Sequence, residues 1–423
     1  MRRGTKIKIV CSFAVLLFLA GCGLRPGEMR LTDPPAVREE VASDESAGEV
    51  SEPGDHTGET APVESPEAAS AQEEKPEEAP VPGERGEEEK PVRVSASRYA
   101  YATLNGETQR VYDEVYQTLL AHTKSVKVST LDAAVLDEAY RAVMADYGEI
   151  FWNSGYVYTK YTRGDELVAL DFAPGYTMTM EARSDIQREI DAAVAGILSG
   201  ISADSSDYEK VRYVFDYLAS NVEYVVGAKE NQNIISVFLY GETVCQGYAS
   251  ATQYLLAQLG VQSAVVTGEV DGVSHAWNLV RMDNEYYYVD TTWGNSTYTG
   301  DGVPAMRFVN YNYFGVTTEE LLRTHAPDDT FVLPNCAASG NNYYVREGKF
   351  FSDWNPDAVG ALCRESYERR ETAVSVKFAS GELYRRARQY LIEEGHITDY
   401  CSGITSLYYV EDEVQNVLTF SFG

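Results

Sequence analysis

Cys245, His275 and Asp290 carry the side chains that acyl transfer requires, and they fall in that order within 46 positions. A cysteine sulfur attacks a carbonyl, an imidazole holds the thiol proton and passes it to the leaving group, and a carboxylate fixes the imidazole tautomer and stabilises its charged form. The first product of such a site is a thioester. Taken singly, each residue has a plainer role: a cysteine beside an apolar helix is a small buried hydrophobe, a histidine is a satisfied core or surface group, and an aspartate is a turn carboxylate. Three chemically matched residues, each at the edge of a predicted element, favour chemistry.

Those elements follow from local pattern. Cys245 precedes Tyr248, Ala251, Thr252, Leu255, Leu256 and Leu259 at helical spacing, with Gly260 as a stop. Thr243 and Gln246 have the spacing of a capping box. Cys245 is therefore expected in the first helical turn, where unpaired N–H groups and the positive end of the helix dipole favour a thiolate. Two strand-like runs, His275 to Arg281 and Glu285 to Asp290, flank the turn residues Asp283 and Asn284. A two-residue turn pairs Met282 with Glu285 and Trp277 with Asp290, which places His275, Trp277 and Asp290 on one face. An odd-length turn would put Asp290 on the other face. Trp277 is the candidate for shielding the ion pair from water. Upstream, Tyr208, Val211, Phe215 and Leu218 share one face of a helix from Ser206 to Ala219, with Ser206 and Glu209 at capping-box spacing. The polar cluster Asn231-Gln232-Asn233 follows, and Gln232 is the candidate side-chain donor to an oxyanion.

The segments VCQGYA, SHAWNLV and YYYVDTTW resemble the three core motifs of the transglutaminase-like superfamily. That family shares a papain-like Cys-His-Asp arrangement and includes transglutaminases, microbial cysteine proteases, peptide N-glycanases and members that have lost activity. The resemblance covers about Asp204 to Trp293. It implies Cys245 as nucleophile, His275 as base and Asp290 as orienter, and an α+β fold in which the nucleophile helix packs on an antiparallel sheet.

The rest of the chain reads as attachments to that domain. Arg2, Arg3, Lys6 and Lys8 precede an apolar run from Ile9 to Ala20, the pattern of an export signal over residues 1–22. The run is shorter than the roughly 20 residues of a spanning helix. Its end, Leu19-Ala20-Gly21-Cys22, resembles a bacterial lipoprotein signal-peptidase site, which implies a diacylglycerol on Cys22 and a membrane anchor. Residues 23–97 are expected to be a disordered acidic linker, rich in Glu, Pro, Ala, Ser and Gly. Positions 31–90 hold 19 acidic and 4 basic side chains, half of the chain's net charge of −30, so the charge describes an extended tether. Acidity of this kind argues against a nucleic-acid partner.

Residues 98–200 are expected to form an accessory α/β lobe. It holds two amphipathic helices, strand-like runs at 155–160 and 166–172 around Arg163-Gly164-Asp165, and a helix from Glu181 to Leu198. Glu149-Ile150-Phe151-Trp152 reads as packing, and the tripeptide as a turn. The catalytic domain is assigned to 201–330. After Trp293 a Gly, Asn, Ser and Thr rich loop runs to about Gly302, and His325 is read as structural for want of a matched partner nearby in sequence. A small C-terminal α/β module is assigned to 331–423, with strands at 343–351, 373–378, 406–410 and 417–422 and helices near 356–369 and 381–394. Cys336, Cys363 and Cys401 allow at most one disulfide, and no pair is chosen by spacing. No Cys-x-x-Cys, His-Glu-x-x-His, Ca-loop or Gly-rich phosphate pattern is present, so no metal, cofactor or nucleotide is expected.

The expected protein is a lipid-anchored, extracytoplasmic cysteine enzyme acting on envelope proteins or peptides, hydrolytic in preference to cross-linking. Two alternatives stand beside it: a non-catalytic envelope binding or scaffold protein on the same fold, and a true cross-linking transglutaminase.

Overall fold

A computed structural model describes residues 98–163, 166–300, 303–401 and 406–422, with two short pieces at Lys8–Ile9 and Arg38–Ser43. Cys22, nearly all of the signal and linker, and Gly164 and Asp165 lie outside the described residues. The architecture is α+β. Among the described residues no helix is long and apolar enough to cross a membrane.

The central sheet is five-stranded and antiparallel throughout, in the order Phe314–Val316, Glu285–Val289, Val273–Met282, Ser263–Val270, His325–Pro327. Asp283 and Asn284 both take positive φ, 53° and 70°, as the tight hairpin between Met282 and Glu285 requires. That turn pairs Met282 with Glu285 and Val289 with Asn278, the register a two-residue turn demands. Helix Cys245–Gln258 packs on this sheet and is buried almost all round, from Gly247 to Leu256. Helix Asp207–Asn221 carries the expected Ser206–Glu209 capping box and packs against the nucleophile helix.

The N-terminal lobe holds helices Gly106–Leu120, Ala133–Asp146 and Met180–Leu198 and the antiparallel ribbon Asn153–Arg163 with Glu166–Tyr176. Arg38–Ser43 runs parallel along one edge of that ribbon, a strand where composition predicts none. An unpaired strand edge offers backbone donors and acceptors to extended chain of any composition. The lobe has no core of its own. A single apolar cluster runs from Ala100 through Phe151, Trp152 and Trp277 to Tyr344. Gln253 of the nucleophile helix adds a polar joint, with Oε1 accepting from Gly148 N at 2.9 Å and Nε2 donating to Asp146 O at 2.6 Å.

A second core holds Val359, Cys363, Val374, Val376, Phe378, Leu391, Cys401, Leu418 and Phe420. The C-terminal unit therefore begins near Phe351 and not at 331, because Phe331, Cys336, Tyr343 and Tyr344 are packed into the first core. Its strands are Phe350–Phe351, Ala373–Phe378, Ser406–Asp412 and Val417–Phe422, and Lys8–Ile9 lies along Ser406–Leu407. The run expected as a strand at 343–351 instead opens with the short helix Tyr343–Arg346, started by Asn342, whose side chain accepts from Tyr344 N, and is strand only at Phe350–Phe351. The run expected as a loop after Trp293 is strand Asn295–Gly300, paired with Val303–Val309. Polar composition concealed it, because a ribbon edge needs only backbone groups. Cys336, Cys363 and Cys401 are free thiols, all buried.

Gln253→Ala leaves Gly148 N and Asp146 O without their partner inside the core. Its unfolding free energy in urea is expected to fall by about 1–3 kcal/mol. An unchanged value would mean that apolar packing alone fixes the lobe.

Candidate active site

Cys245 is the first residue of its helix and is half-buried, while His275 and Asp290 are buried beneath it. The capping box expected from Thr243 and Gln246 does not form. Thr243 Oγ1 donates to Asn231 O at 2.8 Å and accepts from Ser236 Oγ at 2.9 Å, and Gln246 Nε2 donates to Ser250 Oγ. No side chain caps this helix start, so its first N–H groups are not taken by a capping oxygen. Gly247 makes the arrangement possible, because a Cβ there would lie 1.9 Å from Thr243 Oγ1.

His275 Nε2 lies 2.7 Å from Asp290 Oδ2. Asp290 ends the hairpin strand and starts the short helix Thr291–Gly294, and its Oδ1 accepts from Thr292 N at 2.9 Å and Trp293 N at 3.4 Å. With Nε2 on the carboxylate, Nδ1 is the nitrogen left for the sulfur, and Cys245 lies near enough to the ring to contribute to the His275 pKa. Burial alone would lower the His275 pKa. The Asp290 charge and hydrogen bond, reinforced by Cys245, outweigh it and raise the value from 6.5 to about 10. Burial would raise the Asp290 pKa, yet the His275 and His325 imidazoles hold it well below the usual carboxylate range.

Two side-chain bonds fix helix against sheet. Asn278 Nδ2, three residues beyond His275, donates to Ala249 O at 2.9 Å. Thr252 Oγ1 and Thr291 Oγ1 are 2.9 Å apart, tying the helix to the residue after Asp290. Trp277 is fully buried, its ring 5.9 Å from that of His275 at an interplanar angle of 24°. Its Nε1 is buried with no acceptor among the described residues, a cost tolerated where the ring must cover the imidazole.

Gln232 is exposed, and no described hydrogen bond joins its side chain to Cys245. Its loop is nevertheless held to the residues just before Cys245, because Asn231 O accepts from Val244 N at 3.3 Å as well as from Thr243.

His325 is the residue that sequence reasoning missed. The sequence offers it no partner, but its Nε2 lies 3.1 Å from the same Asp290 Oδ2. It reaches the site by starting an edge strand that pairs with Ser263–Val270, with Gly268 between Pro327 and His275. No pattern in the sequence announces a pairing of that kind. His275, Asp290 and His325 bring ligand-type atoms within 4.8 Å of one another. A cation there would have to displace the hydrogen each imidazole shares with Oδ2, so the group is complete as a hydrogen-bonded cluster.

Residues 195–291 match the family model of the transglutaminase-like superfamily, a span that includes all three candidate residues. The match falls on the part of the α+β fold that carries Cys245, His275 and Asp290. The kyphoscoliosis peptidases of Mus musculus and Homo sapiens are each 26% identical to the chain, over 141 and 143 residues. Each alignment takes in 29% of this chain and 21% of the relative, so the chain spans about a fifth of the length of the curated relatives it matches. Among solved structures, a TGase overlaps 33% of this chain and 44% of its own at 16% identity and a TM-score of 0.24. A Cytophaga hutchinsonii protein provisionally named a cysteine protease overlaps 36% and 71% at 13% identity and a TM-score of 0.22. Overlaps this small say nothing of reaction or substrate.

The native state binds the His275 proton more tightly than the unfolded chain does. Its contribution to stability is therefore complete below about pH 6.5 and is lost as pH rises through about 10. Nitrogen shifts of the ring are expected to stay in the imidazolium range at pH 8, and a midpoint near 6.5 would contradict the ion-paired site. Gly247→Ala is expected to cost about 1–3 kcal/mol by overpacking against a Thr243 side chain fixed at both ends. Denaturant unfolding measures that loss, and slower alkylation of Cys245 reports the displaced helix start.

Proposed function

We propose that this protein is a cysteine acyl-transfer enzyme that opens amide bonds through a thioester on Cys245. The observation that carries the reading is the 2.7 Å contact of His275 with Asp290, with the half-buried Cys245 at a helix start near enough to contribute to the His275 pKa. The sulfur attacks the amide carbonyl carbon, and negative charge moves onto the carbonyl oxygen. In this reading the Cys245 backbone N–H, at an uncapped helix start, stabilises that oxygen, with Gln232 as the candidate second donor. Collapse breaks the C–N bond as His275 gives its proton to the departing amine, leaving an acyl thioester. A water then attacks as its proton returns to His275, the C–S bond breaks, and a carboxylate leaves. An amine in place of water would give transfer, the chemistry of a cross-linking transglutaminase.

We favour hydrolysis of envelope proteins or peptides, with the enzyme held outside the cytoplasm by lipid on Cys22 and a tether formed by residues 23–97. Support for the location is the charged-then-apolar signal pattern and the Leu-Ala-Gly-Cys end. The rival is a non-catalytic binding or scaffold protein on the same fold. Intact Cys245, His275 and Asp290, brought to one cluster, favour the enzyme.

Incubation of an envelope extract with wild-type and Cys245→Ala protein in 18O-labelled water, followed by mass spectrometry, tests the choice. Hydrolysis predicts new carboxyl termini carrying 18O with wild-type protein alone, and transfer predicts cross-linked peptides instead. His275→Ala is expected to lower the wild-type rate by about 10²–10⁴-fold. Identical digests from wild-type and Cys245→Ala protein would support the scaffold reading.

A further inference from the structure

We propose that His325 is a positioning residue of the site, sharing Asp290 Oδ2 with His275 and thereby fixing the carboxylate that orients the catalytic imidazole. The inference rests on the acyl-transfer reading above and adds a fourth residue to it.

Asp290 can only accept, so each contact requires a hydrogen on the facing nitrogen. Oδ1 accepts from Thr292 N and Trp293 N, and Oδ2 accepts from His275 Nε2 at 2.7 Å and His325 Nε2 at 3.1 Å. Four donors on one carboxylate leave it no free rotation. His325 is anchored in turn: its Nδ1 lies 2.8 Å from Thr324 Oγ1, which lies 2.8 Å from Tyr313 Oη. Aromatic rings wall it in, with Trp277 at 4.9 Å, Tyr313 at 4.9 Å and Trp293 at 6.2 Å between centroids. The titratable groups facing it are Asp290 and His275 at Nε2 and Tyr313 on the Thr324 side, with Asp412 beyond Tyr313.

The sheet is shaped to let the two imidazoles meet at that oxygen. Gly268 pairs with both His275 and Pro327, so it lies between the two histidine-bearing strands. A Cβ on Gly268 would come 2.8 Å from the Trp277 ring and 2.2 Å from Ala326 O. The missing side chain is the space that Trp277 fills, and Trp277 touches both histidine rings.

A core histidine with no bearing on the chemistry would leave Cys245 unaffected. The test is therefore alkylation of Cys245 by iodoacetamide across pH 5–10 in the full chain, read by intact mass beside glutathione, with urea unfolding to verify the fold. His325→Leu removes the donor, and His325→Gln returns an amide N–H near the Nε2 position. The expected result is that Leu slows labelling about tenfold or more and moves the pH profile, while Gln stays within about threefold of wild type. Should the Leu variant fail to fold, His325→Asn, whose shorter amide cannot reach Oδ2, is compared with Gln and is expected to be impaired. Wild-type rates and pH profiles in every folded variant overturn the role of His325 and leave the acyl-transfer reading intact. Wild-type labelling no faster than glutathione overturns both.

Discussion

The site depends on a carboxylate that has been taken entirely out of water. Asp290 is buried, and an isolated carboxylate in such a place would take up a proton rather than remain charged. It stays ionised because two backbone N–H groups and two imidazoles converge on it. That requirement dictates much of the surrounding architecture. The hairpin must end at Val289, a helical turn must begin at Thr291 to aim its amides backward, and the edge strand must return to deliver His325. A change that withdraws any of these donors acts on His275 through the carboxylate, because the imidazole keeps its proton only while that charge persists.

A charged cluster is useful only if the sulfur is held over it, and the fold achieves this with polar joints set in apolar packing. Asn278 and Thr291 grip the helix at Ala249 and Thr252, on successive turns beyond Cys245. Both joints lie within three residues of a member of the triad, so the chain that carries the imidazole and the carboxylate also clamps the helix. Gln253 extends the same helix's contacts to the N-terminal lobe, which explains why that lobe shares the core and is not a detachable accessory.

Much of this was legible in the sequence, and the boundary of legibility has a physical form. Features set by neighbours in the chain were readable: the helix after Cys245, the capping box at Ser206, and the register fixed by Asp283 and Asn284. Features set by competition for one group were not. Thr243 has the spacing of a cap, but its hydroxyl is spent on Asn231 and Ser236, which approach only after the chain turns at the π-helical segment Ser236–Tyr240. His325 lies 50 residues from His275, and its pairing passes through Gly268, whose importance is a missing side chain. The strand Asn295–Gly300 carries too little apolar patterning to announce itself.

Burial is uneven across the cluster, and that unevenness bears on how substrate arrives. His275, Asp290, Trp277 and His325 are buried, whereas Cys245 is half-buried and Gln232, in the tethered loop beside it, is exposed. The imidazole and carboxylate are thus closed off from solvent, and Cys245 is the most exposed of the three. Under the acyl-transfer reading proposed above, the choice between water and an amine as acceptor belongs to the surface around Cys245 and Gln232, while the buried cluster sets how readily either one can be used.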